Sequence, residues 1–213
     1  MAEIIPLHSR RSATDPEAVA SAVAAAGEMP LAERSDDDLM LLARGGVAAA
    51  FDALVRRHQR TVLRIAAKYM GSTAAATDVA QNSFLQLYRA LPDYRAHGKF
   101  SSYLYRLVLN QCRASHRADA RRDKRLRELA AVAPEEIHGQ SADSVLARER
   151  RREVETALAT LSDKLREVVV LRFASELSYE EISEVLDIPV GTVKSRLFAG
   201  LEKLRQHLER HEP

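Results

Sequence analysis

Cysteine is almost missing from the chain: Cys112 stands alone among 213 residues, which excludes an internal disulfide framework and any zinc site built from several thiolates. Long hydrophobic runs are missing too. No stretch approaches the span of a bilayer, and the opening "MAEIIPLHSRRSATDPEAVA" puts charges and prolines where a signal peptide needs an unbroken apolar segment. A cytoplasmic location without membrane insertion is therefore expected. No internal repeat is visible, no glycine-rich phosphate loop occurs, and the seven histidines are scattered without an H-E-x-x-H pair. His207 and His211 share helical spacing but lack a third ligand, so neither a metal nor a cofactor is expected. Charge of one sign is not in excess. Lys+Arg 32 against Asp+Glu 30 leaves a formal net charge of +2, so total charge is silent on a polyanionic partner and charge placement must decide.

Strand-like alternation bounded by turns is the last absence, and helical signals almost everywhere predict an all-α protein. A hydrophobic content of 46% over this length can bury real cores and allows one domain or two small helical ones, of which two are expected. Residues 1–34 are the least patterned. There "EAVASAVAAAGEMP" has alanine propensity for helix but a narrow apolar face closed by Gly27 and Pro30, and the segment is expected to be a mostly flexible extension.

The first domain is expected over 35–117. Ser35 with Asp36, Asp37 and Asp38 suits a helix N-terminus by capping and charge, and Leu39, Leu42 and Ala43 follow. Phe51, Leu54, Val55, His58, Val62, Ile65, Ala66 and Tyr69 recur at helical spacing up to Gly71. After Ser72, an inner stripe of Ala76, Val79, Ala80, Ser83, Leu87 and Leu91 leaves Asp78, Gln81, Asn82, Leu85 and Arg89 on another face, and Pro92 stops the helix. Beyond the loop "DYRAHGK", a third long helix carries Phe100, Leu104, Leu107, Val108 and Gln111 inward. On its other side Arg106, Asn110, Arg113 and Arg117 form a basic stripe that an apolar core would reject. Cys112 lies in this helix as a small packed side chain; a redox-sensing role is the alternative, with no resolving thiol beside it in sequence.

Arginines then crowd in "RASHRADARRDKRLRELAAVAPEEIHGQSADS" before Pro134, Gly139 and small polar residues take over, which predicts a linker over 118–150. The arginine run suits a solvated helix end as well as a nucleic acid. In the second domain, 151–213, Val154, Ala157, Leu158 and Leu161 mark one helix, and Ser162 caps another with Leu165, Val168, Val169 and Phe173 inward. Ser178 and Glu181 then make a capping box before Ile182, Val185 and Leu186. Asp187 takes the left-handed turn position and Pro189 opens the next helix within a few residues: a helix-turn-helix by spacing and turn chemistry. Its second helix buries Val193, Leu197, Leu201, Leu204 and Leu208, which sends Lys194, Ser195, Phe198, Ala199 and Glu202 outward. In a major groove Lys194 reaches phosphate or guanine, Ser195 donates or accepts, and Phe198 packs on a thymine methyl. A helical hairpin packed on protein is the competing use of the same geometry.

"LSDKLREVVVLRFASELSYEEISEVLDIPVGTVKSRLFAGLEKLR" resembles region four of bacterial sigma factors of the extracytoplasmic-function group, and "DVAQNSFLQLYRALPDYR" with "KFSSYLYRLVLNQCRASHR" resembles their region two, in the same order. The resemblance covers about residues 35–210. It implies a non-enzymatic alternative sigma factor, monomeric when free, whose partners are the clamp and flap of core RNA polymerase, promoter DNA and an anti-sigma factor. It assigns Asp78, Gln81, Asn82, Leu85 and Tyr88 to the polymerase. Tyr94, Arg95, His97, Lys99, Arg106, Asn110, Arg113 and Arg117 fall to the minus-ten element, where an unstacked base is captured. Thr192, Lys194, Ser195, Arg196, Phe198 and Ala199 fall to the minus-thirty-five element, with Arg196 on phosphate. The chain departs from the family pattern at Asn82, often glutamate, Tyr103, commonly tryptophan, Asp187, usually glycine, and Ala199, frequently arginine. A stand-alone helix-turn-helix regulator is the alternative function; a recombinase or nuclease would need clustered carboxylates or an activated nucleophile that the sequence does not assemble.

Overall fold

The computed structural model of the chain describes residues 29–129 and 153–210, so residues 1–28 of the extension expected over 1–34, and most of the expected linker, lie outside the described residues. Every regular element among the described residues is helical. Ser35 starts α1 (Asp36–Arg44): its Oγ accepts the Asp38 N–H at 3.1 Å, and the aspartates of the first turn meet the positive end of the helix dipole. Helix α2 (Ala48–Met70) buries Leu54, His58, Val62, Ile65, Ala66 and Tyr69, and stops at Gly71, whose φ of 67° no β-carbon opposes. Ser72 caps α3 (Thr73–Arg89), which buries the expected stripe from Ala76 to Leu87. A 3-10 turn, Leu91–Asp93, holds Pro92.

Helix α4 (Phe100–Leu129) is 30 residues long and packs against both α2 and α3. Two partners widen its buried face. Tyr105, Leu109 and Cys112 join Phe100, Leu104 and Val108 in the core, while Leu107 and Gln111, expected inside, are half-buried. The helix also runs past 117 into the stretch expected to be linker. Alanine, arginine, leucine, lysine and glutamate favour helix there, and no proline or glycine intervenes before Pro134.

The second module holds a short helix, α5, across 153–159, then α6 (Asp163–Ala174), α7 (Tyr179–Leu186) and α8 (Val190–Glu209). Helix α6 is buried almost all round, from Arg166 through Leu171, because α8 covers one side and α2 of the first module another. Phe173 faces the side left open and is 63% exposed, contrary to its expected place in the core. Leu201 is also exposed rather than buried. Its expected role passes to Gly200, at which α8 crosses closest to α6: a β-carbon there would sit 2.8 Å from Val169 Cγ2. Gly200→Ala is therefore expected to destabilise the module. Overpacking costs about 1–3 kcal/mol, and the gain in helix propensity returns about 1 kcal/mol. A net loss of ~1 kcal/mol should appear as a lower urea midpoint with an unchanged slope. The buried apolar residues of both modules form one continuous cluster, from Leu39 to Leu197.

Candidate DNA and polymerase interfaces

The helix-turn-helix is built by local chemistry. Ser178 Oγ accepts the Glu181 N–H at 3.1 Å while Glu181 Oε2 accepts the Ser178 N–H at 2.7 Å, closing both arms of the capping box at the start of α7. Asp187 ends α7 in the left-handed conformation, φ 54°, where its side chain is better tolerated than most. Pro189 is the N-cap of α8, one residue earlier than a first-turn position, and its fixed φ aims the chain into the new helix.

On α8, Val193 and Leu197 are buried while Lys194, Ser195 and Phe198 are exposed, Phe198 at 74%. Thr192, Arg196 and Ala199 flank them, half-buried. Lys194 Nζ stands 5.6 Å from the centroid of the Tyr179 ring, and the Arg172 guanidinium stands 5.8 Å from it, so two cations share one aromatic ring beside α8. Ser195 Oγ donates to the Thr192 carbonyl at 3.1 Å. The surface thus offers cations, hydroxyls and one large solvent-facing ring, the mixture suited to phosphate and base edges.

In the first module, Arg95, His97, Lys99, Arg106, Asn110 and Arg117 are exposed and Arg113 is half-buried. Tyr94 departs from the expected DNA surface: it is 8% exposed, its hydroxyl donates to Asp37 Oδ1, and its ring packs against Phe100 and Tyr103. Burial, reinforced by the hydrogen bond to Asp37, raises its hydroxyl pKa. Asp37 also accepts the Gly98 N–H at 2.5 Å, so Tyr94 and Asp37 shape the loop instead of presenting a ring to a base. The neighbouring Asp36 ties α1 to α2 through Arg57 at 2.6 Å and His58 at 2.9 Å. Burial works to raise its carboxyl, but those two partners outweigh it and leave the pKa below the usual value.

Asp78, Gln81 and Asn82 line the exposed side of α3, together with Leu85 and Tyr88, which are 44% and 57% exposed. Tyr88 leans its ring on Phe51 at 5.2 Å, edge to face, which fixes one side of the ring and leaves the rest exposed.

The basic stripe has a polar partner inside the same chain. Arg106 Nε donates to the Val185 carbonyl at 3.0 Å and its Nη2 to the Glu184 carbonyl at 2.6 Å. Arg113 grips Glu167 with two bonds, at 2.5 and 2.7 Å, and Lys99 meets Glu184 at 3.0 Å. Beside them the Tyr69 hydroxyl donates to Asp163 Oδ1 at 3.1 Å. Arg166, 4% exposed, donates to the carbonyls of Leu158, Ala159 and Leu161, lies 5.1 Å from the Tyr69 centroid, and reaches His116 Nδ1 at 3.0 Å. The same Nη1 lies 3.3 Å from His116 Nε2, and because a guanidinium only donates, the contact favours a neutral ring with an unprotonated nitrogen towards it. Burial and the Arg166 charge lower the His116 pKa to match. His116, Asp163, Arg166, Glu167 and Glu184, and the polar role of Tyr69 beyond its place in the core, have no signal in the sequence, since each pairs across a long stretch of chain and carries no local motif.

No cluster of metal-ligating side chains occurs among the described residues, and no helix there is long and apolar enough to cross a membrane. Cys112 is fully buried, and burial, aided by the charge of Glu167, pushes its thiol up to about 12. A thiol so placed is no ready thiolate.

The family profile of sigma-70 region 2 matches residues 54–122, and that of sigma-70 region 4 matches residues 151–204. The RNA polymerase sigma-H factor of Pseudomonas aeruginosa is 31% identical over 187 residues, spanning 84% of this chain and 96% of its own. The ECF RNA polymerase sigma-E factor of Escherichia coli K12 is 32% identical over 178 residues, spanning 80% and 92%. A solved structure of CnrH in complex with the cytosolic domain of CnrY resembles this one with a TM-score of 0.62 at 25% identity, over 84% of this chain and 100% of that one. The sigma factor RpoE in complex with the anti-sigma factor NepR from Bartonella quintana shares the fold, with a TM-score of 0.56 at 20% identity over 75% and 98%. Two helical modules, one ending in a helix-turn-helix, define a DNA-binding transcription factor. The chain belongs to the sigma-70 family, in its extracytoplasmic-function group, and acts as an alternative sigma factor that directs transcription initiation.

Proposed function

We propose that α3 docks the clamp of core RNA polymerase through Asp78, Gln81, Asn82, Leu85 and Tyr88, that the loop and stripe from Arg95 to Arg117 hold the minus-ten element, and that α8 reads the minus-thirty-five element as duplex. The observation that carries this division is the exposed face of α8, where a ring 74% exposed stands beside Lys194 and Ser195. Tyr94 is left out of the minus-ten set because its ring and hydroxyl are spent on the loop. The first module is taken to include all of α4 rather than to end at 117. The protein performs no covalent chemistry, works in the cytoplasm, and meets an anti-sigma factor, a partner seen with structural relatives of the same fold. Two modest DNA contacts become a selective pair when polymerase fixes their separation.

Transcription from a promoter library with core polymerase, plus and minus this protein, tests the reading; initiation sites that need both components are expected. Strong operator binding without polymerase would instead favour a stand-alone regulator. Phe198→Ala should lower initiation from the recovered promoters about tenfold, as loss of one good base contact of about 1–3 kcal/mol does. The loss should concentrate on promoters with thymine at the contacted step, as a permuted library would show.

A further inference from the structure

One carboxylate of α1 holds both ends of the loop that leads into α4. Asp37 accepts the Tyr94 hydroxyl on Oδ1 and the Gly98 N–H on Oδ2, the latter at 2.5 Å. A third bond comes from the last residue of the same helix, where Arg44 Nη1 donates to the Tyr94 carbonyl at 3.0 Å. The Tyr94 ring is anchored as well, its centroid 5.9 Å from that of Tyr103 and 6.3 Å from that of Phe100. Gly98 turns with φ 68°, a left-handed backbone that a β-carbon would strain. Between these pins Arg95, Ala96 and His97 stand exposed. A loop ordered by its ligand loses conformational entropy on binding, whereas a loop already tied at both ends loses little.

We propose that Asp37 is a positioning residue for strand capture: through the Tyr94 hydroxyl and the Gly98 N–H it pre-sets the arch of Arg95, Ala96 and His97 against which the unstacked base of the minus-ten element is held, without touching DNA itself. The proposal rests on the assignment of that loop to the minus-ten element. The sign of the effect separates position from charge. Asp37 puts a negative charge beside a site for a polyanion, so electrostatics alone would make its removal tighten DNA binding, whereas loss of the two pins weakens it.

The test uses holoenzyme assembled from core polymerase and the full chain, with a single-stranded oligonucleotide that carries the non-template minus-ten sequence of a promoter recovered from the library. Asp37→Ala should bind that strand about tenfold more weakly, and Tyr94→Phe, which keeps the ring and removes only the hydroxyl, about fivefold. A 2-aminopurine scanned through the strand should brighten less in both variants than in wild type, because the base is less fully unstacked. Asp36→Ala removes an equal charge one residue away and cuts the ties to Arg57 and His58 instead. It should lower the thermal midpoint and keep the wild-type strand affinity. Wild-type affinity in Asp37→Ala or Tyr94→Phe, or tighter binding by Asp37→Ala, would overturn the positioning role, and so would an equal loss in Asp36→Ala. Arg95→Ala combined with His97→Ala tests the underlying assignment: a loss in that pair alone leaves the loop in the minus-ten site and refutes the pin, while no loss there removes the loop from the site and the proposal with it.

Discussion

Arg166→Met is expected to remove about 3–5 kcal/mol of stability, lowering the thermal midpoint by on the order of 10 °C. Arg166 satisfies three carbonyls around the end of α5, of Leu158, Ala159 and Leu161, the first and last of them in buried bonds. Methionine fills the volume but offers no donor, so the Leu158 and Leu161 carbonyls lose their partner without regaining solvent. Arg166→Lys separates geometry from charge. A single ammonium cannot span the fork that Nε, Nη1 and Nη2 cover, and most of the loss should persist in differential scanning calorimetry despite the retained charge. Full recovery by lysine would show that charge alone matters there.

Leu85→Asp combined with Tyr88→Ala is expected to weaken assembly with core polymerase by about 30-fold or more, since truncating or charging central apolar anchors costs about 2 kcal/mol or more at protein interfaces. Both side chains are exposed in the free chain, so little loss of fold stability should accompany the change. Fluorescence anisotropy against purified core enzyme reads the affinity, and a wild-type thermal midpoint in the same sample ties the effect to docking. Unchanged affinity would remove α3 from the clamp assignment.

The parts of the fold set by local rules were legible from the residues alone. Ser35, Ser72 and the pair Ser178 with Glu181 announce helix starts because capping is settled within three or four residues. Gly71 and Asp187 announce ends for the same reason. The outward face of α8 follows from its own periodicity. The burial of Tyr94 has no local signal because its fate is decided by Asp37, a distant partner brought in by packing. The exposure of Phe173 and Leu201 is not legible from periodicity, because a helix surrounded on several sides has no single apolar stripe and because Gly200 takes the close approach to α6. The polar bridge between the modules left no sequence signal at all: Arg113 and Glu167 are simply two charged residues until tertiary structure joins them.

The shared apolar cluster has a consequence for how the chain comes apart. With one core running through both modules, the free protein should behave as a single cooperative unit, its calorimetric and van't Hoff enthalpies in agreement. A holoenzyme that pulls the modules apart severs that core and must itself supply the neighbours each half loses.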